Sequence, residues 1–180
     1  MASIDLVRDD RIRVVRDPLA DTRELIYFDD ASTSLPAERR ADRREGVERP
    51  PTASLRQDPL TGEWITIATA RQNRVMLPPK HLDPLAPQTD ENPSEIPDMY
   101  DVAVFENKSP SFGPFTGADA EGPGAGIGLE RVVTSVGRCE VVCFAPDSEG
   151  SYAWLPTERV RTVVEAWAHR TAELSAIPGV

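Results

Sequence analysis

The chain has little of several things that would place a protein in a familiar class. It lacks any apolar run of 18 residues, so nothing in it reads as a membrane-crossing helix. It lacks an N-terminal apolar stretch of the secretory kind, because Asp5, Arg8, Asp9 and Asp10 interrupt one. It lacks positive charge: the net charge is −10 and the pI about 4.7. Polyanions are bound by clustered Lys and Arg, so neither nucleic acid nor an anionic membrane is expected as a partner. A local basic site for one small phosphate compound remains compatible with that balance. Cysteine is scarce too. Cys139 and Cys143 lie four apart in a strand-like run, a span of about 13 Å. A disulfide needs Cα atoms within about 7 Å, so two free thiols in a reducing, cytoplasmic setting are expected.

What is present points to short elements joined by long connections. Apolar residues make up 39% of the 180, and 17 prolines and 11 glycines imply many turns. Residues 1–22 are charged and weakly patterned and read as an arm, ordered or not, ahead of a domain over 23–180. The run "ELIYF" (24–28) reads as a strand. Residues 35–51 alternate arginines with acids and read as a solvated connection. Residues 76–100 are too rich in proline for helix or central strand. "DVAVFEN" (101–107) alternates as a strand does. "GADAEGPGAGIG" (117–128) is a Gly-rich loop without the strand-to-helix context of a dinucleotide fingerprint. "LERVVTSV" (129–136) and "RCEVVCFA" (138–145) read as a hairpin around Gly137. The last segment carries Val160, Val163, Val164, Trp167, Thr171 and Leu174 at helical spacing, which predicts an amphipathic helix with those residues inward. Several strands followed by one helix make an α+β fold, an antiparallel sheet with a C-terminal helix and long Pro/Gly-rich loops.

The stretch "LRQDPLTGEWITIATARQNRV" (55–75) raises a sharper question. Pro59 and Gly62 shape a turn, "WITIA" (64–68) looks like a buried strand, and Arg71 and Arg74 follow with no nearby acid. A phosphate ligand and a solvated loop are the two readings.

Three blocks resemble one family. "RQDPLTGEWITIATARQNR", "YDVAVFENKSPSF" and "GRCEVVCFAPD" with "LPTERVRTVVEAWAHRTAEL" are similar, in that order, to the N-terminal portion of the galactose-1-phosphate uridylyltransferases. The resemblance implies a histidine-triad-like fold and a nucleotidyltransferase that moves UMP between UDP-glucose and galactose 1-phosphate through a uridylyl-histidine. It implies nucleotide and phosphate contacts from Arg71, Arg74, Phe105, Asn107, Lys108 and Val141, with Lys108 standing where many members have Asp. A planar guanidinium suits such contacts because it donates in parallel to two phosphate oxygens.

Two departures qualify the resemblance. The family's zinc positions are Asp83, Ala86 and Ser148 here, and alanine offers no ligand, so no metal or other cofactor is expected. The H-P-H-G-Q motif that carries the nucleophile is absent, and neither His81 in a Pro-rich loop nor His169, placed on the helix face turned to water, can replace it. No catalytic residue is therefore assigned. The reading is an N-terminal uridylyltransferase part, inactive alone, completed by a second polypeptide or segment; a homodimer is a further arrangement the family allows. The alternative is a non-catalytic remnant or a nucleotide-binding or interaction module.

Overall fold

In the computed structural model, residues 4–6, 9, 11–46, 49, 53–71, 78–113 and 131–177 are described. Arg74 and the Gly-rich loop at 117–128 lie outside them. Two compact units emerge. The first draws on residues 1–48, 77–106 and 140–173, the second on 49–76, 107–139 and 174–180.

The first unit holds a five-stranded antiparallel sheet. Its strands are β1 (Ile4–Leu6), β2 (Arg13–Pro18), β3 (Glu24–Asp29), β6 (Val102–Glu106) and β8 (Glu140–Cys143), in that spatial order. Residues 13–18, expected in an arm, are a full member of this sheet, with Val14 and Val15 buried. Side chains alternate across a strand, and the register sorts them cleanly. Val14, Ile26, Phe28, Val102 and Val104 fall on one face and pack with Val163 and Ala166 of α1 (Thr157–Leu174). Val15, Leu25, Tyr27, Ala103, Phe105 and Cys143 fall on the other and pack with Ile96 and Tyr100. Both faces are therefore dry, and the proline-rich segment is the cover on the second face.

Helix α1 does not present the expected stripe. Thr162, Val163, Ala166 and Arg170 are buried, whereas Val164 and Trp167 are close to half exposed. Small residues let the helix approach the sheet closely, and Arg170 is held by a two-pronged bond to Glu140 at 2.8 and 2.9 Å. His169, expected to face water, instead sets its ring edge-on to Phe28 at 5.3 Å, with its side chain only 13% exposed.

Residues 35–46 are not a loose connection either. Arg39 is buried and pairs with Asp29, and its guanidinium lies 5.0 Å from the Tyr27 ring centre. Arg40 and Arg44 pair with Asp98 and Asp42.

The second unit is smaller. Strands β4 (Ser54–Gln57), β5 (Trp64–Ile67) and β7 (Arg131–Thr134) form an antiparallel sheet in the order β5-β4-β7. The runs expected to pair around Gly137 therefore go to different sheets, β7 beside β4 and β8 beside β6. Gly137 serves a close approach instead: a Cβ there would sit 2.8 Å from Cβ of Phe112.

Candidate functional site

The stretch around the two arginines belongs to the second unit. Its turn folds as the residue types dictate. Asp58 Oδ1 accepts from the backbone N–H of Leu60 (2.7 Å) and Thr61 (3.1 Å), and Gly62 takes φ 75°, a left-handed conformation natural to glycine. Asp58 and Glu63 close the hairpin through a 2.8 Å backbone bond. The strand that follows is not buried: Trp64 and Ile65 are 42% and 48% exposed.

Beyond β5, a short 3₁₀ turn over Thr69–Arg71 carries Arg71 out at an exposed position. Its Nη1 donates to Ser111 Oγ at 2.6 Å. Ser111 lies in the loop opened by Asn107 and Lys108, both half-buried. Asn107 Oδ1 accepts from the Ser109 N–H (3.0 Å) and its own N–H donates to the Cys139 carbonyl (2.8 Å), so the loop leaves the strand in a fixed direction. Ser135 Oγ adds a bond to the Ser111 carbonyl at 2.7 Å. Arg71, Asn107 and Lys108 are thus tied to one loop system. A guanidinium bonded to a loop that also carries a carboxamide can receive an anionic, hydrogen-bonding ligand.

The other two residues of the set sit in the first unit. Phe105 and Val141 are direct cross-strand partners, and Phe105 is buried. Arg23, which carried no signal in the sequence, lies 5.7 Å from the Phe105 ring centre. Its guanidinium reaches Asp21 (2.8 Å), Glu95 (2.6 Å) and the carbonyl of Glu106 (2.5 Å), with its side chain wholly buried. It fixes the end of β6. Ser111 was the other omission, since a serine in a Ser-Pro-Ser run reads only as loop.

The family's metal positions also fall in the first unit. Asp83 and Ser148 line a cavity of 720 Å³, together with Tyr100, Cys143, Phe144 and Trp154. Ala86 does not line the cavity; its N–H donates to the Asp83 carbonyl at 3.4 Å. One carboxylate, one neutral hydroxyl and a methyl group do not fit a structural zinc ion. Among the described residues, no three His, Cys, Asp or Glu side chains converge as a metal site. Tyr100 instead bridges the two loops, its OH lying 3.0 Å from the Leu85 carbonyl and 2.7 Å from that of Ala145. Burial pushes the neighbouring Cys143 thiol up to about 12, so it is an inert, protonated group. Both cysteines are free thiols. His81 sits in a short 3₁₀ turn (Lys80–Leu82) on the exposed surface. Among the described residues, no helix is long and apolar enough to cross a membrane.

The sequence matches known proteins over most of its length. Residues 45–179 match the family profile described as galactose-1-phosphate uridyl transferase, N-terminal domain. A galactose-1-phosphate uridylyltransferase of Streptomyces lividans is 40% identical over 163 residues, covering 90% of this chain and 39% of that protein. One from Thermotoga maritima is 33% identical over 124 residues, covering 67% of this chain and 36% of that protein. One from Rattus norvegicus is 32% identical over 136 residues, covering 68% and 35% respectively. The chain thus spans less than two fifths of the length of these relatives. No solved structure gives a significant match.

Proposed function

The chain belongs to the galactose-1-phosphate uridylyltransferase family, and on that premise we propose that it supplies the nucleotide-holding part of a UDP-glucose–hexose-1-phosphate uridylyltransferase. In this reading Arg71, with Arg74, neutralises the phosphates of UDP-glucose, while Asn107 and Lys108 meet the ribose or base. Phe105 and Val141 form the apolar side toward uracil. The nucleophile comes from another segment or a second polypeptide, in the reducing setting that two free thiols suit. A histidine nitrogen attacks the α-phosphorus of UDP-glucose, the bond to glucose 1-phosphate breaks, and uridylyl-histidine forms. Galactose 1-phosphate then attacks that phosphorus through a phosphate oxygen, which yields UDP-galactose and frees the imidazole. No residue of this chain is placed in the bond-making role, and no metal is required by its donor set.

The observation that supports the reading best is the bond from Arg71 to Ser111, which sets a guanidinium beside the loop opened by Asn107. Arg71 is exposed, so its position answers to no buried acid. The test is titration of UDP-glucose into the purified chain. Uptake is expected, weakened about tenfold or more by Arg71→Ala or Asn107→Ala, the scale of hydrogen bonds to a charged group. Transfer by the chain alone is expected to be absent, appearing on mixing with a polypeptide that carries the nucleophilic histidine. Uptake indifferent to both substitutions removes the nucleotide role and leaves an interaction module. Homodimerisation belongs to the same reading and is measured by sedimentation.

A further inference from the structure

We infer that Lys108 sets the specificity of the nucleotide site. Its ammonium goes to the diphosphate and leaves the ribose 2′-hydroxyl unread, so the chain takes pyrophosphate-linked pyrimidine nucleotides of ribose and 2′-deoxyribose alike. The inference rests on the nucleotide reading above and moves Lys108 within it from the sugar to the phosphates.

Charge is unevenly spread along the chain. The second unit holds seven Lys and Arg against five Asp and Glu, a balance of +2 in a chain of −10. An anionic ligand is therefore favoured in this unit, against the sign of the chain as a whole. The chain's two lysines differ in the same sense. Lys80, in the first unit, pairs with Glu149. Lys108 is half-buried, yet it has no carboxylate partner among the described residues. An ammonium partly withdrawn from water without a counter-charge is stabilised by a ligand that brings one.

The loop that carries Lys108 is held at both ends. The Asn107 N–H donates to the Cys139 carbonyl (2.8 Å) and the Gly113 N–H to the carbonyl of Ser135 (2.9 Å), a wholly buried residue. The loop turns its oxygens to its own support. Asn107 Oδ1 accepts from the Ser109 N–H and Ser111 Oγ from Arg71. The carbonyls of Ser111 and Gly113 accept from Ser135 Oγ (2.7 Å) and the Gly137 N–H (3.2 Å). No carboxylate occurs between Asn107 and Gly113. Lys108 and Arg71 can only donate, so what they recognise is an acceptor.

Phosphate oxygens are acceptors that carry the charge both cations match. A ribose hydroxyl is read strictly when a fixed, desolvated group bonds to it and is left unpaired in its absence. An ammonium on a flexible stem is not stranded in that way, because it turns to water or to phosphate. Loss of the 2′-hydroxyl therefore leaves the contacts of this loop in place.

The test is calorimetric titration of the purified chain with UDP-glucose and with its 2′-deoxy analogue. The native chain is expected to bind the two within about threefold of each other. Lys108→Gln is expected to weaken both by the same factor, about tenfold. Lys108→Arg, which keeps the charge, is expected to hold the native affinity for both. A loss of about tenfold or more for the deoxy ligand in the native chain overturns the inference. So does a Lys108→Gln chain that loses affinity for UDP-glucose alone, or for neither ligand. Absence of uptake, or uptake that survives Arg71→Ala and Asn107→Ala, removes the nucleotide reading and this inference with it. Uptake sensitive to those substitutions but selective for ribose sinks this inference alone.

Discussion

The two units solve the same problem with unequal means. The first buries both faces of its sheet and almost every side chain of β3 and β6. It also takes charges inside, each matched: Arg23 to Asp21 and Glu95, Arg39 to Asp29, Arg170 to Glu140. In the second unit no residue of the three strands is buried, and it is held by turn chemistry and ladder bonds. Yet the second carries Arg71, Asn107 and Lys108. The candidate ligand contacts are thus concentrated in the unit with the thinner core, as is usual for binding loops drawn from regions of low local stability.

The contrast can be broken most forcefully in the first unit. Arg23→Leu strips partners from the buried carboxylate of Asp21 and is expected to cost about 3–5 kcal/mol in denaturant unfolding. Ile65→Ala, at a half-exposed strand position, is expected to stay within about 0.5 kcal/mol. Comparable losses at the two positions would mean that the second unit has a core of its own.

Acid provides an intermediate test. Burial acts to raise the Asp42 carboxyl, but hydrogen bonds from Arg44, the Ala20 N–H and Gln88 outweigh it and hold the group far below the usual range. A depressed carboxyl stabilises the fold above its unfolded value of about 3.9 and loses that contribution as pH falls further. Asp42→Asn is expected to flatten the decline of melting temperature below about pH 4, with the remainder due to Asp21 and Asp98, which are also lowered. An unchanged pH profile would remove Asp42 from this role.

A smaller effect than that of Arg23→Leu tests the hairpin of the second unit. At Gly62 an added Cβ would meet only Gln57, at 4.0 Å, so Gly62→Ala carries the left-handed backbone cost alone, about 1–2 kcal/mol. Circular dichroism melting measures it, and a neutral result would show that the turn can relax.

Strands at 24–28, 64–68 and 101–107 were legible because local propensity and flanking turns agreed, as was the C-terminal helix. The partners of those strands were not. Nothing local tells β7 to choose β4 over β8, since pairing depends on which face must be dried. The helix face misled because the apolar count favoured Val164 and Trp167, whereas the sheet accepted small residues and an ion-paired arginine. Arg40 looked solvated because its acid, Asp98, lies 58 residues along the chain, and Arg39 because nothing local marks Asp29 as its buried partner. In the candidate site, the turn ahead of Arg71 could be read from residue types. The bond to Ser111 could not, because a serine in a loop has no signature of its own.

Strand β3 finds its neighbour β6 late: Phe28 pairs with Val102 and Leu25 with Phe105, across a long intervening segment. Closing that loop costs chain entropy before any contact compensates for it. On a ribosome the sheet therefore cannot begin to close in its middle until that segment has emerged, and a nascent chain halted before then would expose the bare edge of β3 to whatever strand came near.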